Sequence, residues 1–162
     1  MTDPAAANSD DIDDVIAALI GLMGALNNPR QDDVLLREAG VSLDRSLFPL
    51  VARLGALGAM GVAQLADHAG RDHTTISRQL GVLEAAGLVE RRTQTDDRRV
   101  REAALTAKGR GVDRRLAAAR RRLVGLLLVD WSAEERGAFS RLALKFVAGM
   151  TRARDANRGK ER

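Results

Sequence analysis

The sequence predicts a mainly α-helical fold with one small β-ribbon, and three observations predict it. Apolar residues recur at helical spacing over most of the 162 residues. Capping residues and glycines fall where those periodic segments should start and stop. Only residues 88–105 break the rhythm, as two short extended runs around a charged turn. Between residues 61 and 106 the order is therefore short amphipathic helix, tight turn, second helix closed by glycine, and ribbon. That order describes a helix-turn-helix followed by a β-ribbon wing, a DNA-binding lobe, with a helical dimerisation region built from the N- and C-terminal helices around it.

Composition bounds the alternatives. The chain is long enough for one domain with a real core, and at 45% apolar residues it is not expected to be disordered through its middle. It has no cysteine, which excludes disulfides, thiolate metal sites and cysteine-based redox sensing. No run of eighteen apolar residues exists, and the acidic start MTDPAAANSDDIDD lacks the positive charge that precedes the apolar block of a signal peptide. The expected location is cytoplasmic, with no membrane partner. Acidic residues crowd the first forty-five positions, so the rest is more basic than the net charge of +4 implies. Arginine supplies most of that excess, and its planar fork pairs bidentately with phosphate and guanine edges. A GC-rich genome would produce the same bias without any such role.

Taken in order, residues 1–9 have no periodicity and read as a tail. Ile12, Val15, Ile16, Leu19, Ile20, Met23 and Leu26 then share one wide helical face, stopped by Asn27, Asn28 and Pro29. So wide an apolar face needs a large partner surface. Residues 32–39 suit a short helix closed by Gly40. In the next helix Leu47, Leu50, Val51, Leu54 and Leu57 share a face. Pro49 is tolerated only in a first turn, so this helix should start at Arg45 or Ser46, after a non-helical segment from Ser42, and end at Gly58.

Val62, Leu65, Ala66 and Ala69 line the following helix, which Gly70 closes. Asp72 is placed to cap the next one by accepting from the backbone near Thr75. There Ile76, Leu80 and Leu83 form the buried face, and about 180° away lie Thr74, Arg78, Gly81 and Ala85, flanked by Thr75 and Ser77. Short hydroxyls, one arginine and small residues make a surface that can enter a major groove. The same surface alone would be an ordinary solvated helix face; its context favours the reading helix. Gly87 ends it, residues 88–93 run out, residues 94–97 turn, and residues 100–105 return. Arg91, Arg92, Asp96, Asp97, Arg98, Arg99 and Arg101 fall within eleven positions. Arginines at a hairpin tip suit phosphates or a narrow minor groove, although Asp96 and Asp97 would partly neutralise them. Alternation in the return strand is poor, so the ribbon is read from its position more than from propensity.

Thr106 caps a long helix over residues 107–130, about 36 Å at 1.5 Å per residue, basic in its first half and apolar almost all round in its second. It is longer than the winged lobe needs, which suits projection toward another chain. Ser132 and Glu135 form a capping box that opens a last helix with Phe139, Leu142, Phe146, Val147 and Met150 on one face. Fraying is expected from Arg152. The expected division is thus residues 1–9 tail, 10–40 N-terminal dimerisation helices, 41–106 winged lobe, 107–154 C-terminal dimerisation helices and 155–162 tail.

The segment GVAQLADHAGRDHTTISRQLGVLEAAGLVERR, with DDRRVREAALTAKG after it, resembles the MarR family of bacterial winged helix-turn-helix transcription regulators. The specific likeness covers residues 42–111, and the flanking helices agree in number and order. The wing pattern of the family, an Asp, any residue, an Arg and a short strand ending in Leu-Thr, is met by Asp97, Arg98, Arg99 and Leu105-Thr106. The resemblance implies a cytoplasmic homodimer on double-stranded DNA, commonly a repressor. Each subunit would set its recognition helix in a major groove of a pseudopalindromic operator and its wing in the adjacent minor groove. By position it implies Thr74, Thr75, Ser77 and Arg78 as groove residues and Arg71 as a phosphate contact. It also implies Arg99 as the minor-groove arginine, Asp97 as the carboxylate that orients it, and Arg98 near the backbone. Family members often respond to small phenolic or lipophilic effectors held between the dimerisation helices and the DNA-binding lobe. Here only Phe48, Trp131, Phe139 and Phe146 are aromatic, and each has an ordinary core role as its plain reading.

No cofactor and no metal are expected, since His68 and His73 are the only histidines. No phosphate loop, carboxylate pair or triad supports an enzyme. The competing class is a winged-helix protein-interaction module or antirepressor without DNA binding.

Overall fold

The computed structural model describes residues 9–93 and 101–160. In chain order these form α1 (Ser9–Leu26), α2 (Pro29–Glu38), α3 (Phe48–Leu57), β1 (Met60–Gly61), α4 (Val62–Ala69), α5 (His73–Ala85), β2 (Val89–Thr93), β3 (Arg101–Leu105), α6 (Ala107–Leu127) and α7 (Ala133–Lys160). The chain divides into two compact units, Met1–Arg121 and Arg122–Arg162, with the boundary inside α6. The fold is mainly helical with one small antiparallel sheet of order β1-β3-β2, as the sequence predicts.

The core of the first unit is made where apolar faces of α3, α4 and α5 meet the sheet and the first half of α6. Val51, Leu65, Ile76, Leu80, Leu83 and Leu116 are completely buried there. At about 25 cal/mol per Å² of apolar surface removed from water, each such side chain contributes roughly 1.5–3 kcal/mol. These residues are the ones whose spacing predicts an inward face, apart from Leu116 on the basic half of α6. Leu57 departs from the expected face: at the last position of α3 it is 54% exposed.

Several boundaries differ from expectation, each for a local reason. Helix α2 starts at Pro29 rather than near residue 32, because the Asn28 side chain accepts from the Arg30 N–H at 3.0 Å and Pro29 occupies the first turn. The residues expected to end the first helix thus also open the second. Helix α3 begins at Phe48, later than Arg45 or Ser46. Asp44 Oδ1 accepts the Ser46 N–H at 2.7 Å, and the Asp44 carbonyl accepts from Leu47. These bonds make a turn ahead of the helix and put Pro49 in its first turn.

Strand β1 was not expected. It has two residues, too few for a pattern, and exists through pairing of Met60 with Ala103 and Gly61 with Glu102. That pairing explains the weak alternation of β3, which is the central strand. Ala103 and Ala104 point to opposite faces and both are buried.

Helix α6 ends at Leu127, three residues early, and measures about 32 Å at 1.5 Å per residue. Its first half does not project from the winged lobe as expected. Gly109, Val112, Leu116 and Ala119 are buried and belong to that lobe. In the second unit the predicted capping box is present: Glu135 N–H donates to Ser132 Oγ at 3.1 Å, and Ser132 N–H donates to Glu135 Oε2 at 2.6 Å. Helix α7 then continues to Lys160, past Arg152, because its arginine- and alanine-rich end has good helix propensity. Of the aromatic residues only Phe48 has the expected core role. Trp131, Phe139 and Phe146 are 36%, 48% and 43% exposed, and Trp131 meets Phe139 edge-on at 5.4 Å.

The end of α5 is stitched to the start of α6. Gly87 adopts φ +68° and turns the chain out of α5, while Leu88 N–H donates to Leu83 O at 2.9 Å. The freed carbonyls are taken by the next helix. Lys108 Nζ donates to Ala86 O at 2.8 Å, Thr106 Oγ1 to Gly87 O at 2.7 Å, and Thr106 N–H to Leu88 O at 3.0 Å. Thr106 Oγ1 also caps α6 by accepting from Gly109 N–H at 3.0 Å. So close an approach leaves no room at Gly109, where a Cβ would collide with the Leu88 carbonyl oxygen. Alanine normally stabilises a helix interior relative to glycine by up to about 1 kcal/mol. Gly109→Ala should instead destabilise by about 1–3 kcal/mol, since backbone must shift. Gly111→Ala, which meets only the Arg114 guanidinium at 4.0 Å, should be neutral or stabilising. Thermal unfolding of the two variants tests this opposition of sign.

Candidate nucleic-acid interface

The candidate interface is built on α5. The turn before it is made by Gly70 at φ +62°, with Arg71 N–H donating to Ala66 O at 3.1 Å and Gly70 N–H to Asp67 O at 3.3 Å. These bonds satisfy the last carbonyls of α4. Asp72 then caps α5 as predicted, its Oδ1 accepting from Thr75 N–H at 2.8 Å. Bonds from the Thr75 side chain and backbone hold the Asp72 carboxyl below the usual carboxylate range.

With Ile76, Leu80 and Leu83 fully buried, the rotation of α5 is fixed and its other face is set outward. Thr74, Arg78, Gly81 and Ala85 are exposed on that face, and Thr75 and Ser77 are half-buried beside it. Arg71 is exposed in the turn before the helix. The geometry therefore brings together all five residues singled out on and before α5. Thr75 differs from the others, because it is engaged with Asp72. Sequence reasoning missed Val82, which is 51% exposed one turn beyond Arg78. Its i+4 spacing from Arg78 was the available signal, and an exposed apolar group there suits a thymine methyl. It also missed Gln79, which is buried in α5. The Gln79 Nε2 donates to Ser46 O at 3.2 Å, and its Oε1 has no partner.

The ribbon follows, with Val89 opposite Leu105, Arg91 opposite Ala103 and Thr93 opposite Arg101. Asp97, Arg98 and Arg99, with the rest of the turn at 94–100, lie outside the described residues. At the ribbon base, Arg91 Nε donates to Glu84 Oε1 of α5 at 2.7 Å, and Arg92 pairs with Glu90. Arg91 thereby ties β2 to the outward-facing helix, and its guanidinium is committed within the fold.

This arrangement of capped helix, tight turn, second helix and ribbon matches the model of the MarR family over residues 43–100. The winged segment is a MarR-family domain. No curated protein matches the chain. Among solved structures, a MarR family protein from Bacillus stearothermophilus is similar at a TM-score of 0.77 and 23% identity, covering 90% of this chain and 99% of that one. RV1404 from Mycobacterium tuberculosis aligns at 0.66 and 23% identity, covering 91% and 97%. A probable transcriptional regulator from Pseudomonas aeruginosa aligns at 0.58 and 25% identity, covering 78% and 96%. These structures extend the MarR fold over the flanking helices as well. The coarse assignment that follows from the MarR domain is a DNA-binding transcription regulator.

The cap gives a test of what holds α5 in place. A carboxyl whose folded pKa is depressed contributes stability that is complete above its unfolded pKa, about 3.9, and is lost as pH falls through the lower folded value. Asp72→Ala should therefore lower the melting temperature at pH 7. The gap to the parent should close in acid. A gap that does not change with pH would mean that the carboxylate is not the cap.

Proposed function

We propose that the protein is a homodimeric transcriptional repressor that reads a pseudopalindromic operator with α5 in the major groove and the ribbon tip in the adjacent minor groove. The observation that carries this reading is the outward face of α5, whose small, hydroxyl and guanidinium groups stand clear while its other side is locked in the core. Arg78 is the base-reading candidate, Thr74, Thr75 and Ser77 flank it, and Arg71 contacts backbone. On the ribbon, Arg99 enters the minor groove, Asp97 orients it and Arg98 lies near phosphate. A dimer seated across a promoter excludes polymerase, which makes repression the direct outcome. A small lipophilic or phenolic effector that shifts the spacing of the two readers would release it.

Dimerisation is supported by apolar faces that the chain itself does not cover. Ile20 and Leu26 of α1 are 66% and 68% exposed, and Leu142 and Met150 of α7 are more than half exposed. A monomer rarely leaves so many large apolar side chains on one helix face in water, and a second copy is the simplest cover.

In a gel shift on the chain's own upstream region at moderate salt, Arg78→Ala or Arg99→Ala should weaken a discrete complex by about 1–3 kcal/mol, the worth of one good base contact. Arg78→Ala should also relax base preference. Binding that ignores both changes excludes the proposed contacts. Ile20→Asp should shift the sedimentation of the chain from dimer to monomer and abolish operator binding at nanomolar protein, with the winged lobe still folded by circular dichroism. An unchanged sedimentation coefficient would exclude α1 from the dimer contact.

A further inference from the structure

A recess of about 250 Å³ opens beside the turn before α5, with Arg71 in its lining. Phe48, Pro49 and Leu50 line it together with Arg45, Arg53 and Arg71, and Asp32 is the one acid among its lining residues. These arginines come from three places: the turn before α3, α3 itself and the α4–α5 turn.

Their partners matter more than their number. Arg53 is held by carbonyls, Nε donating to His68 O and Nη1 to Pro49 O, each at 3.3 Å. Its charge is therefore positioned without being neutralised, and Nη2 has no partner among the described residues. The Arg71 side chain has none among them either. Arg45 approaches Asp33 only loosely, at 3.9 Å with both side chains about half exposed, a pair that contributes little. The turn carrying Arg45 is fixed from two sides. Asp44 accepts from Ser46 N–H, and buried Gln79 of α5 donates to the Ser46 carbonyl. Gln79 thus ties the arginine-bearing turn to the helix that reads DNA.

In helix-turn-helix docking the backbone that borders the major groove crosses the first helix and the turn. Arg71 lies in that turn and lines the recess together with Arg45 and Arg53. We propose that Arg45, Arg53 and Arg71 form a clamp for one DNA backbone phosphate, with Gln79 as a positioning residue that sets the register between clamp and reading helix. This rests on the function proposed above and adds Arg45 and Arg53, outside α5 and the ribbon, to the backbone contact given there to Arg71. Such a clamp carries no base information. It gives affinity that is independent of sequence and sensitive to salt.

The test is fluorescence anisotropy of the full chain with operator and with unrelated duplex between 50 and 200 mM salt. The combined variant Arg45→Gln, Arg53→Gln, Arg71→Gln should reduce the slope of log K against log salt by about 0.9, the value for one phosphate. It should weaken both duplexes by the same factor. Because Arg53 bridges two carbonyls, the pair Arg45→Gln, Arg71→Gln serves if the triple variant does not fold, with a smaller fall in slope. Gln79→Leu should reduce operator affinity with a smaller effect on unrelated duplex, which a merely structural role would not produce. An unchanged slope in folded variants of a chain that binds DNA overturns the clamp and leaves the regulator reading standing. Wild-type chain without salt-dependent DNA binding overturns both. An unchanged slope, with inorganic phosphate raising the melting temperature only when Arg53 is present, makes the recess a small-anion site and likewise overturns the clamp.

Discussion

Three consecutive carbonyls just after α5, those of Ala86, Gly87 and Leu88, accept hydrogen bonds from Lys108 and Thr106 at the start of α6. The arrangement of the first unit depends on this stitch. Helix ends leave unpaired carbonyls that must be satisfied, and here the next helix satisfies them, so α5, the ribbon and α6 leave one point at set angles. Gly109 is required for that closeness. The reading helix is therefore held at both ends, by the Asp72 cap in front and the stitch behind, and its outward face is fixed without any residue on that face taking part.

Charge is distributed along similar lines. Arg91 is neutralised inside the fold by Glu84, whereas Arg110 and Arg115 are tied to the Leu105 and Gly40 carbonyls and keep their charge. Around the recess Arg53 is held by carbonyls and Arg45 meets Asp33 only at 3.9 Å, and the side chains of Arg71 and of Arg78 on α5 have no partner among the described residues. A basic chain of this kind cannot be judged by counting arginines. What decides is which guanidinium groups meet a carboxylate and which keep their charge available to a polyanion.

Much of this was legible in the sequence, for physical reasons that differ between elements. The inward faces of α4 and α5 were readable because helical periodicity is a direct record of burial, and Asp72 and Ser132–Glu135 because caps use few residue types at fixed spacing. The ribbon was readable as position only, since Ala103 and Ala104 are buried on both sides and lose the alternation that marks a half-exposed strand. Strand β1 left no trace, because two residues held by partner backbone need no pattern. Val82 and Gln79 were missed because each violates the polarity expected of its face, one apolar and exposed, the other polar and buried. The first half of α6 was misjudged because its arginines mask Val112, Leu116 and Ala119, which carry it into the core. The tip residues Asp97, Arg98 and Arg99 lie outside the described residues.

The ion pair between Glu84 and Arg91 bears on how the two arms of the reader share their work. It joins the helix to the base of the ribbon at 2.7 Å with both side chains about 30% exposed, so a tilt of one is transmitted to the other. Contacts that share such a mechanical link do not contribute independently, and energies measured by removing them one at a time do not add. On the proposed reading, the specificity of the domain is thus a property of helix and ribbon taken jointly, and a sequence logo with independent columns would misrepresent positions that they read together.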